Sequence, residues 1–170
     1  MFKFQLIWLN NMNKFSVLFV CTGNICRSPT ADGILRHMVK AAGLENCVEV
    51  DSAGTHDYHV GEAPDRRAQS HAAKRGYDLC SLRAREVVEA DFARFDLVLA
   101  MDEGHLALLR RRCPEPYRER VKLFLDFATR FHEREVPDPY YGGPQGFEHV
   151  LDLVEDGCRG LMAHIRGQLD

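Results

Sequence analysis

The chain has 170 residues, enough for one domain of ordinary size, and its 45% hydrophobic and 28% charged residues exclude a disordered chain. Lys and Arg number 22 against 25 Asp and Glu, a net charge of -3, which excludes a protein-wide basic field for nucleic acid or anionic membrane but leaves room for a local basic site. No apolar run approaches the roughly 18 residues that span a bilayer, so the expectation is a soluble single domain, monomeric by default, with neither nucleic acid nor membrane as partner. Met1 to Asn13 holds a short apolar run, Phe4–Leu9, then Asn10, Asn11 and Asn13, without a small-residue cleavage site; it reads as an extension, with Met12 an alternative start. The six cysteines, at 21, 26, 47, 80, 113 and 158, form neither a C-x-x-C pair nor a zinc-type spacing. A reducing, cytoplasmic setting is expected.

Phe15–Val20 is a nearly continuous apolar run, as expected of a strand buried on both faces of a parallel sheet. After the segment Cys21–Arg27, Ser28 and Pro29 supply an N-cap and a first-turn proline. Ile34, Leu35, Met38, Val39 and Ala42 then repeat at helical spacing until Gly43. Cys47–Val50 reads as a second strand, and a helix starts near Asp65 with Gly76 past its end. A short helix is expected over Glu86–Arg94, a strand over Asp96–Met101, a helix over Glu103–Arg112 and a strand over Val121–Leu125. Val136 to Gly146, with three prolines and three glycines, reads as a long surface loop. A final helix carries Phe147, Val150, Leu151, Val154, Cys158, Leu161 and Ile165 on one stripe. This alternation predicts a single-domain, doubly wound α/β fold with a four-stranded parallel sheet and helices on both faces.

In such sheets ligands bind beyond the carboxyl ends of strands, where the strand order reverses. Cys21-Thr22-Gly23-Asn24-Ile25-Cys26-Arg27-Ser28 occupies that place. It combines a thiol, a Gly-Asn pair tolerant of positive φ, an arginine and the free N–H groups of a helix start. Consecutive amides bent around one point make a nest for a tetrahedral oxyanion, and Arg27 adds a planar fork matching two phosphate oxygens. The same positive surroundings favour a thiolate at Cys21. The segment therefore reads as a phosphate-binding loop for phosphoryl transfer.

Val17-Leu-Phe-Val-Cys21-Thr-Gly-Asn-Ile-Cys-Arg27-Ser-Pro-Thr-Ala-Asp32 closely resembles the signature of the low-molecular-weight protein tyrosine phosphatases. The resemblance extends, in order and at similar spacing, to Asp51-Ser-Ala-Gly54, Met101-Asp102-Glu103 and Asp138-Pro-Tyr-Tyr141. It implies a phosphatase domain over residues 15–170, with residues 1–14 outside it. It further implies that Cys21 attacks phosphorus to form a phosphocysteine, Arg27 holds the equatorial oxygens and Asp138 is the general acid and base. Thr22, Gly23, Asn24, Ile25, Cys26 and Ser28 would bind phosphate or shape the loop, with Ser28 donating to the sulfur. Asn24 and Ser52 match positions that hydrogen-bond to each other; Tyr58, Tyr140 and Tyr141 match a cleft that admits an aryl phosphate. No metal or other cofactor is implied, and His56 and His59 lack a third ligand. The implied substrate is a phosphotyrosine-containing protein, tyrosine kinases of polysaccharide export being such substrates for bacterial relatives.

Simpler readings stand beside these. Cys21 as a core cysteine and Asp138 as a mere turn former fit the residues alone but not their context. Cys26 is either a packing residue or, as the resemblance implies, a reversible disulfide partner for Cys21. Cys47, Cys80, Cys113 and Cys158 read as core. Leu82 stands where many relatives carry a histidine that braces the phosphate loop, and leucine cannot do so. Three other functions are weighed. An arsenate reductase needs a second cysteine close to Cys80, and none follows before Cys113. An arginine phosphatase typically has Thr where Ile25 stands and lacks the Tyr-Tyr pair. A phosphocysteine carrier needs no general acid, so Asp138 discriminates against it.

Overall fold

The structure, a computed structural model, describes residues 14–170; apart from Lys14, the expected N-terminal extension lies outside the described residues. Strand β1 (Phe15–Cys21) leads through α1 (Arg27–Ala41) to β2 (Val48–Gly54), and α2 (Arg66–Lys74) and α3 (Glu89–Arg94) precede β3 (Leu97–Ala100). Helix α4 (Glu103–Arg112), β4 (Val121–Leu123) and α5 (Pro144–Leu169) follow, with short 3-10 segments at Glu115–Arg120 and Phe124–Phe127 on either side of β4. All strands pair in parallel, in the order β2-β1-β3-β4. The chain winds outward from β1 to β2 and then crosses to β3 on the other side of β1. The order thus reverses at β1, and a crevice opens beyond its carboxyl end.

Val17 to Val20 are fully buried, as a central strand covered on both faces requires. Successive side chains point to opposite faces: Val17, Phe19 and Cys21 join the core built with α1 and α5, whereas Leu18 and Val20 join that built with α3 and α4. Phe19 meets Phe124 edge-to-face with ring centroids 5.1 Å apart, an arrangement contributing about 0.5–1.5 kcal/mol beyond its buried area. Among the described residues no helix is long and apolar enough to cross a membrane.

Several boundaries differ from the sequence expectation, each for a local reason. Strand β2 continues past Val50 because Asp51 to Gly54 keep pairing with Leu18 to Cys21; two polar residues there hide the strand. Helix α3 starts at Glu89 rather than Glu86, since the Val87 amide donates to the Gly54 carbonyl and Asp91 accepts from the Val88 amide. Strand β4 stops at Leu123, where Phe124 turns into the 3-10 segment. The surface loop ends at Gly143, and Pro144 opens α5 in the first-turn position suited to proline. Helix α1 begins at Arg27 with Cys26 at its cap, so Ser28 lies inside the first turn and its hydroxyl is free for other work. Of the cysteines expected in the core, Cys113 and Cys158 are buried and Cys47 partly so, but Cys80 is exposed, in the turn after Leu79.

Helix α5 crosses the Phe124–Phe127 segment at very short range. A Cβ on Gly160 would lie 1.7 Å from the Phe127 carbonyl oxygen, and one on Gly157 would lie 2.6 Å from the Phe124 ring. Glycine inside a helix otherwise costs up to ~1 kcal/mol relative to alanine, so close approach explains both. Gly160→Ala is expected to lower stability by about 1–3 kcal/mol through overpacking, in spite of its better helix propensity. Urea unfolding checks this, and an unchanged or raised midpoint would show that the segment can retreat.

Candidate active site

The loop from Cys21 to Arg27 closes the gap between the end of β1 and the start of α1. Its outer edge is held by the continuation of β2: Thr55 N–H donates to the Cys21 carbonyl at 2.8 Å and His56 N–H to the Thr22 carbonyl at 3.1 Å. Gly54 allows this approach, since a Cβ there would lie 2.7 Å from the Thr22 oxygen. Asn24 turns the loop with φ 57°, in the left-handed region that Asn tolerates. Its buried side chain then ties the loop inward. Oδ1 accepts the Arg85 amide at 3.1 Å, which fixes the amide's orientation, and Nδ2 donates to Ser28 Oγ at 2.8 Å. Ser28 Oγ in turn lies 3.0 Å from Cys21 Sγ. The amides of Gly23, Asn24, Ile25 and Cys26 pair with no backbone acceptor among the described residues, as an oxyanion nest requires.

Arg27 is 5% exposed, and burying an unpaired guanidinium is costly. Nη1 donates to Asp102 Oδ2 at 2.9 Å and to the Val136 carbonyl at 3.1 Å. Val136 is held in turn by donating its amide to the Met101 carbonyl at 2.8 Å. Asp138, two residues on, brings Oδ2 to 3.7 Å from Arg27 Nη2. The Nε–Nη2 edge of Arg27 makes no hydrogen bond to the described residues and so remains for a ligand. Asp102 also caps α4, accepting the His105 amide at 2.8 Å. Burial pushes its carboxyl up, but the His105 amide, the His105 ring and Arg27 outweigh this and hold it below the usual range.

The thiol, the arginine and Asp138 converge on one cleft of about 250 Å³, which Thr22, Gly23, Ile25 and Cys26 floor and Tyr58, His59, Tyr140 and Tyr141 wall. Asn24, Ser28 and Ser52 lie behind it, buried. The expected Asn24–Ser52 hydrogen bond is not formed. Ser52 Oγ donates to Asp32 Oδ2 at 2.9 Å, a carboxylate one turn into α1 being the stronger acceptor; Asn24 reaches Ser28 and Arg85 instead. Leu82 packs half-buried against the core, and the brace on Asn24 comes from the Arg85 backbone. Burial, the negative Asp65 and then Cys21 push the Cys26 thiol up to about 12, so it stays protonated beside Cys21. Among the described residues no three His, Cys, Asp or Glu side chains gather as a metal site.

Two residues at the site carry no role in the sequence reading. Asp102 stood in a motif of the resemblance, Met101-Asp102-Glu103, without a role of its own. His105 had no signal at all, yet its Nε2 lies 2.8 Å from Thr22 Oγ1. Its Nδ1 is 3.1 Å from Asp102 Oδ1, at an angle too poor for a hydrogen bond, and is left unpartnered.

A buried thiol, a loop of unpaired amides and a buried arginine beyond the switch point of a doubly wound parallel sheet form the arrangement expected of the class of cysteine-based phosphoryl-transfer proteins. Residues 16–170 match the family model described as low molecular weight phosphotyrosine protein phosphatase. A low molecular weight protein-tyrosine-phosphatase of Streptomyces coelicolor is 46% identical over 159 residues, covering 92% of this chain and 96% of its own. A crystal structure of a protein tyrosine phosphatase from Entamoeba histolytica, with Hepes in its active site, superposes with a TM-score of 0.88. It is 40% identical and covers 92% of this chain and 100% of its own. YfkJ from Bacillus subtilis superposes equally well, with a TM-score of 0.88 at 37% identity over 94% of this chain and 99% of its own. The chain belongs to the low molecular weight protein-tyrosine phosphatase family, a family of hydrolases.

The His105 environment has a consequence for stability. Burial lowers its pKa from 6.5 to about 4 against the opposing pull of Asp102, so the ring is neutral at pH 7. Between those two values the unfolded chain binds a proton that the folded protein excludes. Stability is therefore full above pH 6.5 and falls as the pH drops towards 4, by up to about 3 kcal/mol from this residue. In urea titrations at pH 7 and pH 4.5, His105→Asn should lose less stability between the two than the unaltered protein; equal losses would assign the acid sensitivity elsewhere.

Proposed function

We propose that the protein hydrolyses phosphotyrosine in proteins, and small aryl phosphates, through a phosphocysteine formed on Cys21. The observation that carries this reading is the convergence of Cys21, the free edge of Arg27 and Asp138 on one cleft. Cys21 is 3% exposed, while Tyr58 and Tyr140 stand at the rim with 66% and 38% exposure. A phosphate reaches that depth best on a long, flat side chain, and the tyrosine walls favour an aryl group.

In the first step the Cys21 thiolate attacks phosphorus in line with the ester oxygen. The S–P bond forms as the P–O bond breaks, and the electron pair remains on the phenolic oxygen, which takes the proton of Asp138. The Nε–Nη2 edge of Arg27 and the loop amides hold the equatorial oxygens as charge shifts between them. In the second step a water attacks phosphorus and gives a proton to the Asp138 carboxylate. The S–P bond then breaks, returning a thiolate that accepts the Ser28 hydroxyl 3.0 Å away. Arg27 and the amides supply the positive charge that a metal ion supplies in other phosphatases, so no cofactor is assigned.

With reduced protein in EDTA, phosphate release from a phosphotyrosine peptide should proceed at full rate and fall by several orders of magnitude in Cys21→Ser. Acid quenching should trap phosphate on Cys21. Asp138→Asn should lower turnover of the peptide by about 10²–10⁴-fold. Undiminished release by Cys21→Ser would overturn the thiol mechanism, and no release by folded, reduced wild-type protein would overturn the substrate assignment.

A further inference from the structure

Helix α2 begins beside the phosphate loop. The amide of its cap residue, Asp65, donates to the Ile25 carbonyl at 2.7 Å, and Asp65 Oδ1 caps the helix by accepting the Arg67 amide at 2.8 Å. The Arg67 guanidinium folds back on the same carboxylate, with Nε 3.1 Å from Oδ1 and Nη2 2.9 Å from Oδ2. Its remaining arm crosses to the acid loop, where Nη1 donates to the Tyr140 carbonyl at 3.0 Å. The guanidinium carbon lies over two rings, 5.3 Å from the Tyr140 centroid and 5.0 Å from that of Phe147, in the first turn of α5. Tyr140 is also the residue whose amide donates to Asp138 Oδ1, at 3.1 Å. One residue thus receives Arg67 on its carbonyl and orients the carboxylate through its amide.

We propose that Arg67 is a positioning residue for the general acid: it fixes Tyr140, and through it Asp138, at a set distance from the phosphate loop, and so governs proton delivery to the leaving oxygen. This rests on the role given to Asp138 above. Lysine cannot replace it, since the contact uses a two-pronged fork on Asp65 and a third donor to Tyr140 at once. A merely structural contact on the surface would affect all substrates alike. Loss of proton delivery is selective: p-nitrophenyl phosphate expels a phenolate that needs no proton, whereas phenyl phosphate expels one that does.

The test is kcat/KM, which reports the first covalent step, for these two esters with wild type, Arg67→Ala, Arg67→Lys and Asp138→Asn. Arg67→Ala should lower the phenyl phosphate value by about tenfold or more and the p-nitrophenyl phosphate value by less than about threefold, with Arg67→Lys close to the alanine variant. Asp138→Asn should show the same selectivity more strongly. Equal losses for both esters, or none, in both Arg67 variants alongside a selective Asp138→Asn would overturn this proposal alone. A non-selective Asp138→Asn would remove the acid assignment and the proposal with it. If the alanine variant fails to fold, the lysine variant carries the same comparison.

Discussion

A guanidinium withdrawn from water sets the terms for the rest of the site. Arg27 is nearly inaccessible, and a charge so placed is tolerated only with fixed partners; removing one partner of such a pair typically costs 3–5 kcal/mol. Asp102 and the Val136 carbonyl fill that need on one edge. Each is itself secured, Asp102 by the first turn of α4 and Val136 by the end of β3. Three segments far apart in sequence are thereby drawn to one cation. The edge left over is the one assigned to the phosphate in the proposed function, so the anchoring that makes the charge tolerable also aims it.

Around that cation the backbone supplies most of the shape. The phosphate loop is clamped on its outer edge by β2 continuing past its last paired residue, and on its inner side by Asn24 in a left-handed turn. Few side chains are needed to form the nest; they are needed to keep it from collapsing. Cys26 faces burial and the carboxylate of Asp65, which hold it as a neutral thiol; the Ser28 hydroxyl faces Cys21.

What could be read from the sequence was what lies close together in it. The order of strands and helices followed from apolar periodicity, and the loop to which the proposed chemistry is assigned is seven consecutive residues, Cys21–Arg27. Contacts made only by folding were not legible. Asp102 is 75 positions from Arg27 and His105 is 83 from Thr22, and nothing local marks either pairing. Ser52 shows the limit from the other side: a resemblance suggested its partner, but the carboxylate of Asp32 lies within reach and takes the hydroxyl. Polar residues concealed the second half of β2 for a similar reason, since its pairing with β1 decides its conformation and its composition does not.

Ser28 carries a single hydroxyl proton and is surrounded by three groups. Asn24 already donates to its oxygen, so that proton has two acceptors within range: Cys21 Sγ at 3.0 Å and the Ala53 carbonyl at 3.4 Å. In the proposed cycle the sulfur alternates between an anion and a neutral phosphorylated form. The proton is drawn to the sulfur in the first state and released to the carbonyl in the second. Such a change rotates one hydrogen about one bond and leaves every heavy atom in place. The polarity facing the sulfur can then follow its charge through each proposed turnover with little reorganisation of the surrounding protein.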